Sequence, residues 1–265
     1  MRVPRSLAVA VLAALSLLGL SSTALAAPAA AGKYVALGDS YSSGLGAGSY
    51  GSSGSCKRSS NAYAQLWANA HAPSAFSFVA CSGAVTQDVL NSQVSAITAD
   101  TALVTISIGG NDAGFVSVMT DCNLGSDSTC VSKNQAAQNF ARTTLPARLD
   151  AVYTQIRNRA PSARVVVLGY PRIYKTGGSC VVGLSETKRA AINQSSDVLA
   201  SVISGKAAAY GFSFVDARTA FAGHEVCAAG TRWINSVTWP IEESYHPTAG
   251  GQSGGYYAGL VAVTG

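Results

Sequence analysis

Lys33-Tyr34-Val35-Ala36-Leu37-Gly38-Asp39-Ser40 is the stretch from which the rest of the chain can be read. Residues 33–37 form an apolar, strand-like run, and Gly38-Asp39-Ser40 follows it directly. A serine where a strand ends in a tight turn sits on the rim of a sheet with its hydroxyl facing out. Far downstream, Ser244-Tyr245-His246-Pro247 places a histidine before the final segment. Between them lie Gly83, in Cys81-Ser82-Gly83-Ala84, and Asn111, in Gly109-Gly110-Asn111-Asp112. Serine, glycine, asparagine and histidine supply a nucleophile, oxyanion donors and a base, the parts needed for acyl transfer through a serine ester.

Working outward, further short apolar runs at 76–80, 103–108, 165–168 and 212–215 join 34–37 as strand candidates. Helical patterns cover 62–69, 136–159 and 186–210, with Pro146 marking a kink or break and Gly211 a stop. A last helix from about Ala249 is weakened by its glycines. The alternation predicts an α/β fold, a parallel sheet covered by helices on both faces. In such sheets ligands bind beyond the carboxyl ends of the strands. Ser40, Gly83 and Asn111 each follow a different strand candidate, so they fall at equivalent ends.

The first residues read as an export signal. Arg2 and Arg5 precede an apolar run from Leu7 to Leu20, too short to span a bilayer comfortably, and Ala24-Leu25-Ala26 offers a cleavage pattern. Residues 1–29 are therefore expected to be a signal peptide, cut somewhere in 26–31, and 30–265 a single domain. No later segment is long and apolar enough to cross a membrane. The formal charge of +5 falls to +3 without Arg2 and Arg5, a weak bias toward anionic surfaces. No basic cluster with interleaved aromatics points to nucleic acid. Cysteines 56, 81, 122, 130, 180 and 227 are even in number, as in an exported disulfide protein. Six cysteines allow fifteen pairings, of which the sequential one is favoured because each bridge then staples one long loop. Zinc is disfavoured by the lack of a C-x-x-C pair or adjacent histidine.

Each candidate also has a plainer reading. Ser40 alone could cap a helix, Gly83 could serve a turn, and Asn111 could be a cap. Among the three histidines, His71 ends a helix pattern and His224 lies close to Cys227, leaving His246 as the base and His224 in reserve. Two motifs are set aside. Gly251-Gln252-Ser253-Gly254-Gly255 spells a nucleophile elbow but has no strand before it and no histidine after it. Gly46-Ala47-Gly48-Ser49-Tyr50-Gly51 spells a dinucleotide fingerprint but lies beyond the strand end, in a Gly/Ser-rich loop.

Taken together, the blocks at 38–44, Gly83, 109–112 and 246–247 resemble those of the SGNH (GDSL-type) hydrolases, especially the secreted lipases and phospholipases of actinomycetes. The likeness spans almost the whole chain after the leader. It implies a flavodoxin-like three-layer α/β/α sandwich with about five parallel strands, a serine ester mechanism, and no metal or cofactor. It places Ser40 and His246 as catalytic residues and Ser40, Gly83 and Asn111 around an oxyanion. Sequential disulfides in similar secreted relatives support Cys56–Cys81, Cys122–Cys130 and Cys180–Cys227.

One position departs from the family pattern. An aspartate usually stands three residues before the histidine, where this chain has Glu243, with Glu242 beside it. Some similar enzymes orient the ring with a backbone carbonyl instead, here that of Ser244, and this arrangement is favoured over Glu243. The expected activity is extracellular hydrolysis of lipid acyl esters, of lipase or phospholipase A1 type, by a monomer acting at a lipid–water interface. Phe115, Val116, Val118 and Met119 are candidate apolar walls, or else the buried face of a short helix. A carbohydrate O-acetylesterase or broad esterase is the alternative enzyme, and a lipid- or glycan-binding protein with a vestigial site the alternative from another class.

Overall fold

The computed structural model describes residue 1, residues 32–178, residue 180 and residues 183–265. The expected signal peptide, apart from residue 1, lies outside the described residues. Five parallel strands form one sheet: β1 (Lys33–Gly38), β2 (Phe76–Phe78), β3 (Thr101–Ser107), β4 (Arg164–Leu168) and β5 (Ser213–Val215). Their order is β2-β1-β3-β4-β5. The direction of winding therefore reverses between β1 and β3, and the crevice beyond such a reversal is where open α/β sheets hold ligands. Gly38 is paired with Ser107, so the two strands end level with each other at that crevice.

The inner strands are apolar on both faces because helices cover both. Val35, Val104, Ile106, Val166 and Val167 are all buried. Among the described residues there are nine α-helices: α1 (Ser40–Ser43), α2 (Tyr63–His71), α3 (Thr86–Asp88), α4 (Phe115–Leu124), α5 (Asp127–Thr143), α6 (Leu145–Arg159), α7 (Glu186–Ala209), α8 (Ala217–Ala220) and α9 (Ala258–Thr264). One packing group joins α4 to α7, and the other joins α2, α8 and α9 through residues 251–257. The result is the three-layer α/β/α sandwich expected from the sequence.

Local differences from the sequence reading have physical causes. The second strand is shorter than 76–80 because Val79 and Ala80 both donate to the Ala36 carbonyl, at 2.9 and 3.1 Å, which bends the chain toward Cys81. The helical pattern at 136–159 is two helices. Pro146 sits in the first turn of α6, where its missing N–H costs nothing, and α5 begins earlier, with the Ser126 side chain capping Thr129. Residues 251–257 wind as a π-helix before α9. Its glycines allow close packing, and a Cβ on Gly254 would lie 2.6 Å from the Trp233 ring. Three disulfides are formed, Cys56–Cys81, Cys122–Cys130 and Cys180–Cys227.

The elbow-like motif at 251–255 has a structural role, carried by Gln252 and not by Ser253. Fully buried Gln252 accepts from the Tyr63 N–H and donates to the Tyr41 carbonyl, both at 3.0 Å. Ser253 is exposed and bonds only the Gly250 carbonyl at 3.3 Å. Replacing Gln252 by Ala orphans two buried backbone groups and should cost about 2–4 kcal/mol in urea unfolding, against less than about 0.5 kcal/mol for Ser253→Ala. Equal midpoints for the two variants would contradict this assignment.

Candidate active site

Chain geometry at the strand ends brings the candidate residues together. Asp39 caps α1, its carboxylate accepting from the Tyr41 N–H at 3.0 Å, so Ser40 is the first helical residue after β1. Ser40 and His246 are both nearly buried, with the Ser40 Oγ 2.8 Å from the His246 Nε2. On the other side of the ring, His246 Nδ1 lies 3.0 Å from the Ser244 carbonyl. A carbonyl only accepts, so Nδ1 carries the hydrogen and Nε2 is left to accept from the Ser40 hydroxyl. Glu243 is turned elsewhere, its carboxylate accepting from the Tyr50 hydroxyl at 2.6 Å.

Gly83 and Asn111 follow the next two strands, β2 and β3, and Asn111 lines the cavity that Ser40 borders. The Cys81–Ala84 turn is closed by the Ala84 N–H on the Cys81 carbonyl at 3.1 Å, which leaves the Gly83 N–H outside the turn's own bond. A φ of +81° at Gly83 is left-handed backbone that suits glycine. The Asn111 side-chain amide gives one hydrogen to the Ala84 carbonyl at 3.0 Å and keeps a second. Ser40 contributes a first-turn N–H, which has no partner within its helix. Ser40 and Asn111 both line one cavity at these strand ends.

His224, the reserve base, is not part of this cluster. It stacks on Trp233 with ring centroids 3.7 Å apart, and its Nδ1 pairs with the Thr231 carbonyl. His71 ends α2 and stacks on Trp67. Residues 46–51, the dinucleotide-like motif, belong to the loop that supplies Tyr50 to Glu243.

Several supporting residues gave no local signal in the sequence. Asp112, whose side chain is inaccessible, accepts from the Thr86 N–H at 2.9 Å, the Thr86 hydroxyl at 2.6 Å and Arg148 at 3.0 Å. It thereby ties the Gly83 turn to the Asn111 turn. Gln93 matches both backbone groups of Gly38, accepting from its N–H at 2.7 Å and donating to its carbonyl at 2.9 Å. Asn235 holds the histidine segment, its N–H on the His246 carbonyl at 2.9 Å and its carbonyl accepting from Tyr245 at 3.1 Å. Each of these contacts joins distant parts of the chain, which no spacing rule reaches.

An apolar cavity opens beside Ser40 and runs between α4, α5 and α7. Phe115, Val118, Met119, Ile173, Ile192 and Leu199 line it. Val118 and Met119 thus serve both as wall and as the buried face of a helix, whereas Val116 points to solvent. Asn134 and Ser195 also border the cavity, but they bond each other at 2.7 Å.

Burial dominates the protonation of the site. It lowers His246 from 6.5 to about 4, against the opposing pull of the Ser244 and Glu242 carbonyls. Tyr41 and Phe115 rings beside it, at 5.2 and 6.2 Å, account for the dry surroundings. Burial also raises Asp39 to about 6, against hydrogen bonds from Tyr170, Ser107 and the α1 backbone.

The sequence profile of the GDSL-like Lipase/Acylhydrolase family matches residues 36–253. The chain belongs to that family. A curated Lipase 1 from Streptomyces coelicolor is 58% identical over 243 residues, covering 91% of this chain and 90% of the relative. The crystal structure of phospholipase A1 from Streptomyces albidoflavus NA297 superposes with a TM-score of 0.86 at 57% identity, covering 88% of this chain and 99% of that one. An extracellular lipase from Streptomyces rimosus superposes equally well, TM-score 0.86 at 56% identity, covering 88% of this chain and all of that one.

Within this GDSL-family site two outcomes are expected. Glu243→Ala should retain kcat on a soluble ester within about threefold, because the Ser244 carbonyl already holds Nδ1–H; a loss near 10³-fold would assign the orienting role to the carboxylate. The acid limb of kcat/KM should have its midpoint near 4 and not near 6.5. Linkage gives a companion test. Between those two values the unfolded chain binds a proton that native His246 refuses, so this group's contribution to stability rises with pH and is lost on acidification. The stability of the wild type relative to His246→Asn should therefore climb from pH 4 to 6.5 and then level off. A flat difference would mean that burial does not depress this histidine.

Proposed function

We propose that this carboxylic ester hydrolase is an extracellular lipase of phospholipase A1 type that works through a Ser40–His246 dyad. The observation that carries the reading is the bond between the Ser40 Oγ and the His246 Nε2 at the mouth of an apolar cavity. His246 takes the Ser40 proton as the oxygen attacks the ester carbonyl carbon. The resulting oxyanion is received by the Ser40 and Gly83 N–H groups and the free Asn111 amide hydrogen. Collapse expels the alcohol, which leaves with the proton from His246, and water then cleaves the acyl-enzyme by the same route in reverse roles. The Ser244 carbonyl keeps the ring in the required tautomer throughout.

The cavity wall supports an acyl chain over an acetyl group, since nearly all of its lining is hydrocarbon. The three disulfides and the likeness to an extracellular Streptomyces rimosus lipase support export. In this reading residues 1–29 are a leader cut within 26–31, and residues 30–265 act as one monomeric domain.

The test is product mass spectrometry on an emulsion of mixed-acyl phosphatidylcholine, triacylglycerol and acetylated xylan. Wild type should release fatty acid, from the sn-1 position of the phospholipid, and Ser40→Ala should be slower by at least about 10³-fold. Acetate without fatty acid would replace this reading with a carbohydrate esterase. Failure of a fluorophosphonate to label Ser40 would replace it with a binding protein.

A further inference from the structure

Apart from residue 1, the exposed large hydrophobic side chains among the described residues are Val116, Leu124, Val237, Trp239 and Ile241. They fall on only two segments, and both flank the mouth of the site. Val116 and Leu124 lie on α4, eight residues apart with Thr120 between them, so the three share one outward stripe. Val237, Trp239 and Ile241 lie on the loop leading to His246. Trp239 and Leu124 are 86% and 84% exposed, an unfavourable placement for side chains of this size in water.

Contacts with the Ser244–His246 segment link the two. At one end of α4, Phe115 meets the His246 ring edge-on; at the other, Asn123 accepts from the Tyr245 hydroxyl at 2.9 Å. The loop is tied to the same segment by the Thr238 N–H on the Ser244 hydroxyl at 3.0 Å. Two polar side chains beside the apolar ones spend their hydrogens on nearby backbone: Thr120 on the Val116 carbonyl at 2.9 Å and Ser236 on the Val237 carbonyl at 3.3 Å. Neighbouring charges are paired, Glu242 with Lys57 at 3.4 Å and Asp121 with Lys133 at 3.2 Å. Such a surface is cheap to desolvate and carries little net charge.

We infer that these five side chains form a docking face that seats the enzyme on a zwitterionic phospholipid bilayer. The inference rests on the lipid-hydrolase reading above and names the surface through which that site meets its substrate. A lipid surface is chosen over a protein because the patch borders the Ser40 cavity. A protein seated there would obstruct the entrance, whereas a bilayer would present acyl esters to it. Attachment is by apolar insertion, so it does not depend on salt as a basic patch would.

The experiment uses Ser40→Ala to keep vesicles intact and measures its cosedimentation with phosphatidylcholine vesicles. Trp239→Ser/Ile241→Ser and Val116→Ser/Leu124→Ser, each added to it, should weaken partitioning by at least about tenfold, with little salt dependence. Lipid should shift tryptophan emission to the blue, and Trp239→Ser should abolish most of that shift, since Trp67 is buried and Trp233 partly so. In the active enzyme, Trp239→Ser/Ile241→Ser should leave kcat/KM on a soluble short-chain ester within about twofold while vesicle hydrolysis falls about tenfold. Unchanged partitioning, or an equal loss on the soluble ester, would overturn the proposal. So would a wild-type dimer in sedimentation velocity that these substitutions dissociate, which would make a second copy the occupant. Patch-dependent binding without fatty acid release by wild type would defeat the hydrolase reading and leave the surface standing. Hydrolysis of vesicle lipid that ignores the patch would do the reverse.

Discussion

The buried carboxylate of Asp39 organises the carboxyl end of the sheet. Asp39 receives hydrogen bonds from the Tyr41 N–H at 3.0 Å, from the Ser107 hydroxyl at 2.8 Å and from the Tyr170 hydroxyl. Those three donors stand at the start of α1, the end of β3 and just beyond β4. Tyr170 in turn accepts from the Gly110 N–H at 3.0 Å, so the chain that leads into Asn111 is held by the same network. A carboxylate placed 1% exposed is costly unless several donors meet it, and meeting them requires three strand ends to converge. The position of Ser40, the next residue, follows from that convergence.

Dryness is the second shared property. The burial that raises Asp39 also depresses His246, and the two changes have opposite signs because one group is an acid and the other a base. A histidine kept neutral in a dry site has Nε2 free to accept from the Ser40 hydroxyl, and a carbonyl partner at Ser244 does not force it into the charged form. Glu243 sits within reach in sequence but spends its carboxylate on Tyr50, which fastens the Gly/Ser-rich loop to the histidine segment. Asp112 works in the same manner on the other side, where it fixes the distance between the Gly83 and Asn111 turns. The polar residues around the site are thus divided between the Ser40–His246 pair and the loops that carry it.

Strand identity was readable because inner parallel strands are continuous apolar runs, and Leu37, Ile106 and Val167 sit in such runs. Strand ends were less so: the bend after Phe78 comes from two N–H groups sharing one carbonyl, and nothing in the residues at 79–80 announces it. α5 starts at Asp127 because the Ser126 side chain caps it, and a serine is a legible sign of such a start. The motif at 251–255 shows the limit of pattern matching. Its letters fit a nucleophile elbow, yet its position against Phe221 and Trp233 makes Gln252 a structural tie and leaves Ser253 on the surface.

By itself the sequence determined the fold class and the family and offered residues suited to ester chemistry, since these depend on residue type and on order along the chain. Which strands neighbour each other was decided only by the tertiary structure, and with it the reversal between β1 and β3 that brings Ser40 and Asn111 to one crevice. The same holds for the partner of His246 Nδ1, because Ser244 and Glu243 are adjacent in sequence and only the path of the chain turns one toward the ring. The roles of Gln93, Asn235 and Asp112 are likewise set by tertiary structure. Their contacts join residues that a linear reading keeps apart, and hydrogen bonds form between neighbours in space.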